Sequence, residues 1–165
     1  EEALYCAQKN RELMGRVTGW YGVVGFYFYE ALACCAMLVK TGESKRQVEL
    51  LAQVNENISM IKQWSTHEPL NHENKLFLLQ AELARIRGDE SDAAWSYGES
   101  IRLARERDIL NEQAIATELA ASFYHYFGKR QMARDYMEDA IDLTESWGSK
   151  PIAEVLRHRY SAWLG

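Results

Sequence analysis

Cysteine thiols and histidine rings are the side chains of this sequence best suited to nucleophilic, redox or metal chemistry. Cys34 and Cys35 are adjacent in an apolar run, and Cys6 lies far from both. Consecutive residues of a helix point about 100° apart, so the adjacent pair does not face one ligand. An odd cysteine count also disfavours a disulfide framework. We expect reduced, buried thiols that act as small apolar side chains in a cytoplasmic protein.

Two histidines lie five residues apart beside acidic neighbours, in the order His67, Glu68, His72 and Glu73. A metal site needs about four donors that converge on one point, and no ligand pair here sits at i, i+4 on a single predicted helix. We therefore expect solvated loop residues and no metal. Cys6 with a distant histidine lacks a third group to orient a base. The sequence contains no Walker-type phosphate loop and no kinase catalytic-loop string, so we expect no cofactor, no catalytic residue and no enzyme activity.

Composition narrows the class of protein. The 165 residues are 47% hydrophobic and carry a formal net charge of -5. Such a chain folds into a packed core rather than staying disordered, and its mild acidity disfavours nucleic acid as a partner. Only two prolines and ten glycines occur, which disfavours an all-β fold with many tight turns. The chain begins with Glu1 and shows no signal-peptide pattern, so we expect a fragment of a longer protein or a processed chain.

The segment from Trp20 to Val39 is apolar over 20 residues and contains one charge, Glu30. That length could span a bilayer, but a central charge costs about 2.5–3.5 kcal/mol on insertion scales. Aromatic residues also crowd its middle, whereas membrane spans favour them at the ends. We predict a buried helix and no membrane span, with Phe26 to Tyr29 in a core rather than in a ligand pocket. Apolar surface left near Trp20 to Phe28 predicts a homodimer through these N-terminal helices.

Hydrophobic periodicity predicts an all-α protein of about seven helices, with a further helix-compatible run over residues 1–14. Residues 65–71, which include Pro69, read as a loop, and Asn71 is the predicted N-cap of the helix that follows. Glycines 88, 128 and 148 end helices, and Pro151 fits the first turn of the last one. The predicted helices run from after Gly22 to about Lys40, then over 43–64, 75–87, 91–107, 109–127, 129–147 and from 149 to about 164.

The second half of the chain repeats itself at an offset of 40 residues. Gly88 matches Gly128, and the alanines at 81 and 93 match those at 121 and 133. Each repeat is a helix pair around a glycine turn, and such pairs must stack to cover their apolar faces, which predicts an α-solenoid. The spacing of the two small residues, twelve apart, resembles the tetratricopeptide repeat (TPR), as do Tyr97 and Met137 four positions later and Ser100 and Ala140 seven positions later. The period exceeds the usual 34 residues and the expected proline is missing.

This resemblance implies one helical-repeat domain over 1–165. Its parts are divergent N-terminal helices over 1–66, two TPR-like units over 72–148, and a C-terminal capping helix over 149–165.

A closer resemblance covers roughly Tyr27 to Leu164. The strings AELARIRG, ELAASFY and RDYMEDAIDLTESWG resemble the helical-repeat region of large multidomain signalling kinases. Those proteins join a serine/threonine-kinase-like domain, a STAND-type or AAA-type ATPase, a GAF or PAS sensor and a histidine kinase. The resemblance implies a non-catalytic regulatory module of a cytosolic signal-transduction protein, which contacts flanking domains or another protein or peptide.

In TPR-like stacks the first helix of each pair lines the concave surface, so the resemblance places a partner-binding groove there. Its mixed charge and apolar surface suit an extended peptide or a helix. Pairing between Glu118 and Arg85 is the structural alternative, and a small molecule bound within the solenoid is the functional one. The predicted groove residues are Lys75, Leu78, Glu82, Arg85 and Ile86 in one unit, and Ile115, Glu118, Ser122, His125 and Tyr126 in the next.

Overall fold

A computed structural model describes Tyr5, Lys9, Arg11 and residues 21–164, and the regular structure in that part of the chain is helical throughout. Helices that are neighbours in sequence pack in pairs, which confirms the predicted all-α fold of paired helices. The predicted run over 1–14 lies outside the described residues apart from three positions. The helices are α1 (Tyr21–Leu38), α2 (Ser44–Ser65), α3 (Pro69–Arg87), α4 (Glu90–Glu106), α5 (Leu110–Tyr126), α6 (Arg130–Ser146), α7 (Lys150–Arg159) and α8 (Ser161–Leu164).

The chain divides into two compact units, the first ending at Glu90 and the second beginning at Ser91. The boundary falls inside the first predicted repeat, after the Gly88 turn and at the first residue of α4. The second predicted repeat, α5 with α6, lies wholly in the second unit. A single domain over 1–165 therefore stays a prediction.

The core of the first unit lies where α1 packs against α2 and α3. Cys34 and Cys35 are fully buried in it, so the prediction of buried thiols is confirmed for both, and Cys6 lies outside the described residues. Burial, with the nearby Glu30 charge, raises the pKa of the Cys34 thiol to about 11, so this sulfur stays protonated at neutral pH. Leu38, Leu50, Val54 and Leu83 complete this apolar cluster.

The aromatic run in α1 divides between core and surface. Phe28 is 1% exposed, and Phe26 and Tyr27 are half-buried, in keeping with the predicted core. Tyr29 is exposed, because four consecutive residues cover the whole circumference of a helix. Since Phe28 is buried, it offers no surface for the predicted dimer contact, and Trp20 lies outside the described residues.

Glu30 is the buried charge of α1, and a polar network surrounds it. The Arg11 Nη2 donates to its Oε2 at 3.1 Å, and the Asn57 Nδ2 donates to the same oxygen at 2.8 Å. The Arg11 Nη2 also donates to the Asn57 Oδ1 at 2.8 Å, which closes the triangle. In the described part of the chain no helix has the length and apolar content needed to cross a membrane.

Because Arg11 pairs with one buried and one exposed glutamate, this network predicts different stability losses when each glutamate is removed. Arg11 donates to Glu30 and to Glu56 at the same 3.1 Å, but the Glu30 side chain is buried and the Glu56 side chain is exposed. Replacing Glu30→Ala should lower the free energy of unfolding by about 3 kcal/mol, because Arg11 and Asn57 lose a buried partner. Replacing Glu56→Ala should lower it by less than about 1 kcal/mol. Urea unfolding of the two variants checks this, and equal losses would contradict it.

In the second unit, α5 and α6 pack closely because small residues line their contact. Ala121, Ala133 and Ala140 are all at most 1% exposed, as the repeat pattern predicts. Met137 and Tyr97, at the matched large positions, are likewise buried, and the Tyr97 ring centroid lies 5.3 Å from that of Phe123. Ala153 and Leu156 of α7 extend the same core.

Helix ends follow the predicted glycines. Gly88, Gly128 and Gly148 have φ of 79°, 73° and 95°, the left-handed conformation in which a side chain is strained. Asp108, after the end of α4, adopts the same left-handed conformation with φ 59°, although the residue is not a glycine. The Ile109 N–H donates to the Ala104 carbonyl at 2.9 Å. This bond closes the turn as the corresponding bond does after Gly88.

Two predicted boundaries are wrong. The helix predicted to start after Asn71 begins at Pro69 with Glu68 as its N-cap, and the Asn71 Nδ2 donates to the Glu68 Oε2 instead of capping. Proline fits a first turn because its missing N–H has no helical acceptor there. The last predicted helix is interrupted at Tyr160 and continues as the short α8.

The close contact of α5 and α6 predicts that added volume destabilises the second unit. Ala133→Leu should lower the free energy of unfolding by about 1–3 kcal/mol, because the extra methyl groups force the helices apart. Ala162→Leu, at an exposed position of α8, should change it by less than about 0.5 kcal/mol. Denaturant titration of the full chain compares the two, and an Ala133→Leu variant as stable as the parent would contradict the tight contact.

Candidate functional site

The predicted groove residues of the first unit are mostly engaged within α3. Leu78 and Glu82 are 1% and 2% exposed, so neither presents surface to a partner. The Arg85 Nε and Nη2 donate to the two Glu82 carboxylate oxygens at 3.2 and 2.6 Å. The Lys75 Nζ donates to the Asn71 carbonyl at 3.0 Å. The spacing from Ala81 predicts which residues share one face of α3. It does not predict which part of that face is buried by neighbouring helices.

The predicted groove residues of the second unit lie on α5, and the C-terminal helices contact them. The Tyr160 hydroxyl donates to the Glu118 Oε1 at 3.2 Å, and the Arg159 Nη1 lies 3.7 Å from the same oxygen. The His125 ring stacks on Trp163 with centroids 4.0 Å apart. The chain itself therefore occupies part of the predicted binding surface.

The other three groove residues of α5 keep some surface. Tyr126 is 76% exposed, and Ile115 and Ser122 are half-buried. Because Glu118 and Arg85 belong to different units, the alternative that they pair stays a prediction.

The pKa of Glu118 can be used to test its contact with Tyr160 and Arg159, because burial and these two side chains shift that pKa in opposite directions. Burial raises the pKa above the ordinary glutamate value, and the Tyr160 hydroxyl and the Arg159 charge lower it. A raised pKa in the folded state means that Glu118 favours folding most at low pH. That stability is lost as the pH rises from the ordinary glutamate value through the raised one.

Tyr160→Phe should therefore raise the pKa of Glu118 further, because the variant loses a donor to the carboxylate. The stability at neutral pH should fall by about 1–2 kcal/mol, and by less near pH 4, where the carboxyl is protonated. An NMR titration of the Glu118 side chain measures the pKa. Tyr126→Phe, which removes an exposed hydroxyl, should leave it unchanged; an unchanged pKa in Tyr160→Phe would contradict the contact.

A cleft of about 480 Å³ opens elsewhere in the second unit, between α4 and α6. Gln113 and Thr117 of α5 are 6% and 3% exposed and form its floor. Acidic side chains line the α6 wall at spacings of four and three, which places them on one helix face. The α4 wall contributes Ile101 and Arg105, and the α6 wall contributes Asp135, Tyr136, Asp139, Asp142, Leu143 and Ser146.

Some polar groups of this cleft have hydrogen-bond or ion-pair partners, and others have none among the described residues. The Thr117 hydroxyl donates to the Gln113 carbonyl at 2.8 Å, and the Gln131 Nε2 donates to the Asp135 Oδ1 at 2.7 Å. The Gln113 side-chain amide has no hydrogen-bond partner among the described residues, although its residue is more than nine-tenths buried. Asp139 and Arg105 have no ion-pair partner in the same part of the chain.

Sequence reasoning missed this cleft because it assigned binding to the first helix of each pair. The α6 wall belongs to a second helix, and the floor belongs to the face of α5 that points away from the predicted groove. One signal was present, the acids at 135, 139 and 142, whose spacing is that of one helix face. The buried amide at 113 gave no signal, since a lone glutamine in a helix is usually solvated.

In the described part of the chain, which includes both histidines, no group of three or more histidine, cysteine, aspartate or glutamate side chains converges on one point. His67 is exposed, as predicted. His72 is not a solvated loop residue: it lies in the first turn of α3, is 9% exposed, and its Nε2 is 3.9 Å from the Glu68 Oε2. The earlier start of α3 puts these two residues at i, i+4 on one helix.

Comparison of the chain with protein-family models, with curated proteins and with solved structures gives no match. Function is therefore inferred from the geometry of the described residues.

Proposed function

We propose that this chain is a non-catalytic module that binds a segment of another protein or of a flanking domain. The cleft of the second unit carries the proposal. It is concave, its walls combine charged side chains with the apolar and aromatic Ile101, Tyr136 and Leu143, and its floor offers an unused amide at Gln113. Binding sites are typically clefts in which a small number of polar groups fix the orientation of a ligand.

Exposed aromatic residues support a protein partner. Trp95, Tyr126 and Trp147 are 60%, 76% and 50% exposed. Tryptophan and tyrosine are enriched among the residues that dominate protein–protein binding energies, because they bury a large area at low entropic cost. Trp95 and Tyr126 lie on α4 and α5, and Trp147 is the C-cap of α6, so a partner meets a preformed surface.

The resemblance to the helical-repeat region of multidomain signalling kinases suggests where the partner comes from. In this proposal the module works in the cytoplasm, and its partners are the ATPase, sensor or kinase domains that flank it in a parent protein. Docking of a segment on a rigid helix pair would change how those domains meet, which is a coupling between two binding events. The chain itself contributes shape and contacts, not a reaction.

A second candidate is a sensor of a small molecule or short peptide. The volume of the cleft favours it, because about 480 Å³ lies within the range of roughly 300–1,000 Å³ typical of small-molecule sites. Binding of a metabolite-sized ligand without any protein segment would distinguish this function from the first.

The main proposal predicts binding to segments of the parent open reading frame. Isothermal titration of the chain with fragments from either side should find one that binds, and Ser146→Trp should weaken that binding by about tenfold or more, because the indole obstructs the cleft. Ser91→Trp, at an exposed position that does not line the cleft, is the matched control and should bind normally. Recovery of no fragment, together with measurable nucleotide hydrolysis by the purified chain, would reverse the proposal.

A further inference from the structure

We infer that the cleft of the second unit binds an extended polypeptide segment whose backbone contacts Gln113 and whose arginine side chain lies along Asp139 and Asp142. This inference rests on the proposed function and names the chemistry of the partner. It places the site on α4, α5 and α6, away from the Glu118 to Tyr126 surface that the C-terminal helices contact.

The floor of the cleft favours a peptide over an ion. A side-chain amide carries both a donor and an acceptor, and at Gln113 both lie at the cleft with no hydrogen-bond partner among the described residues. A metal ion would satisfy only the Gln113 oxygen, and an anion only its nitrogen. A peptide group offers a carbonyl and an N–H together, so a backbone laid across Gln113 satisfies both.

The α6 wall sets the charge and the length of the segment. Asp135 and Asp142 are seven residues apart, which is about 10 Å along a helix and matches about three residues of extended chain. Gln131 already donates to Asp135, whereas Asp139 has no ion-pair partner among the described residues. Asp142 also lies in the field of Arg157, whose Nη1 donates to the Glu145 Oε1 at 2.8 Å. The free carboxylate at Asp139 is therefore the main acceptor for a basic side chain.

Tyr136 makes arginine a better match than lysine. Its half-buried ring lies on the same wall as Asp139 and is held by Tyr124, with ring centroids 5.0 Å apart. A planar guanidinium stacks on an aromatic ring and donates to carboxylates in a fixed fork, whereas an ammonium is a strongly hydrated point charge.

Arg105, across the cleft on α4, sets the direction of the segment. The cleft is lined by three carboxylates and this one guanidinium, so as a whole it attracts a basic segment. An acidic group of the same segment fits opposite the basic one, on the α4 side. The occupant is therefore a segment with an arginine toward α6, not a uniformly basic tail.

The test uses the full chain and two capped heptapeptides that differ only in charge, one with arginine and one with glutamate at the central position of an Ala/Ser sequence. Fluorescence anisotropy should show that the arginine peptide binds at least about tenfold more tightly. Asp139→Asn should weaken that binding by about tenfold, and Gln113→Met, which keeps the volume but removes the amide, by about fivefold. Glu138→Gln, an equal charge change on the same helix outside the cleft, should leave it unchanged.

Equal binding of the two peptides, or unchanged binding by Asp139→Asn, would overturn the inference. Arginine amide that binds as tightly as the peptide would assign the cleft to a small cation and overturn the peptide as its occupant. Asp139 is exposed, so its variant tests the site even if Gln113→Met fails to fold. If a flanking fragment binds and neither variant changes its affinity, the inferred arginine-containing ligand is wrong while the proposed interaction function is retained. If the arginine peptide binds as expected and no flanking fragment binds, the inferred peptide site is retained and the proposal that a flanking domain is the partner is wrong.

Discussion

The second unit depends on how closely α5 and α6 approach, and small side chains set that distance. Ala121 and Ala133 are buried where the two helices meet, and a larger residue at either place would separate them. The close approach leaves room for Met137 and Tyr97 to fill the surrounding core. It also places the α6 wall over the α5 floor, which is what gives the cleft its shape.

The Glu30 carboxylate of the first unit and the Gln113 amide of the second differ in whether the fold supplies their hydrogen-bond partners. In the first unit Glu30 has two hydrogen-bonded partners, Arg11 and Asn57, so its charge is compensated within the fold. In the second unit the Gln113 residue is buried to a similar degree, but it lines the cleft and no described residue completes the hydrogen bonds of its side-chain amide. A satisfied buried network stabilises and specifies a core, whereas an unsatisfied one at the bottom of a cleft is a place for a ligand.

The C-terminal helices cover part of one face of the second unit and leave another face open. Tyr160 and Trp163 contact Glu118 and His125, so part of the surface that a first-helix rule assigns to a partner is covered by the chain itself. The cleft between α4 and α6 is not covered in this way within the unit.

Local pattern in the sequence was enough to determine the helical fold, the paired-helix repeat and the glycine-ended turns, because apolar periodicity and left-handed glycines act over a few residues. It also determined that Cys34 and Cys35 are apolar in role. Only tertiary structure decided which polar residues are satisfied: that Asn57 donates to Glu30, that Tyr160 donates to Glu118, and that the Gln113 amide is left open in the cleft that Asp139 also lines. These are contacts between residues distant in sequence or between whole helix faces, and their energies depend on burial and distance, which no local spacing encodes.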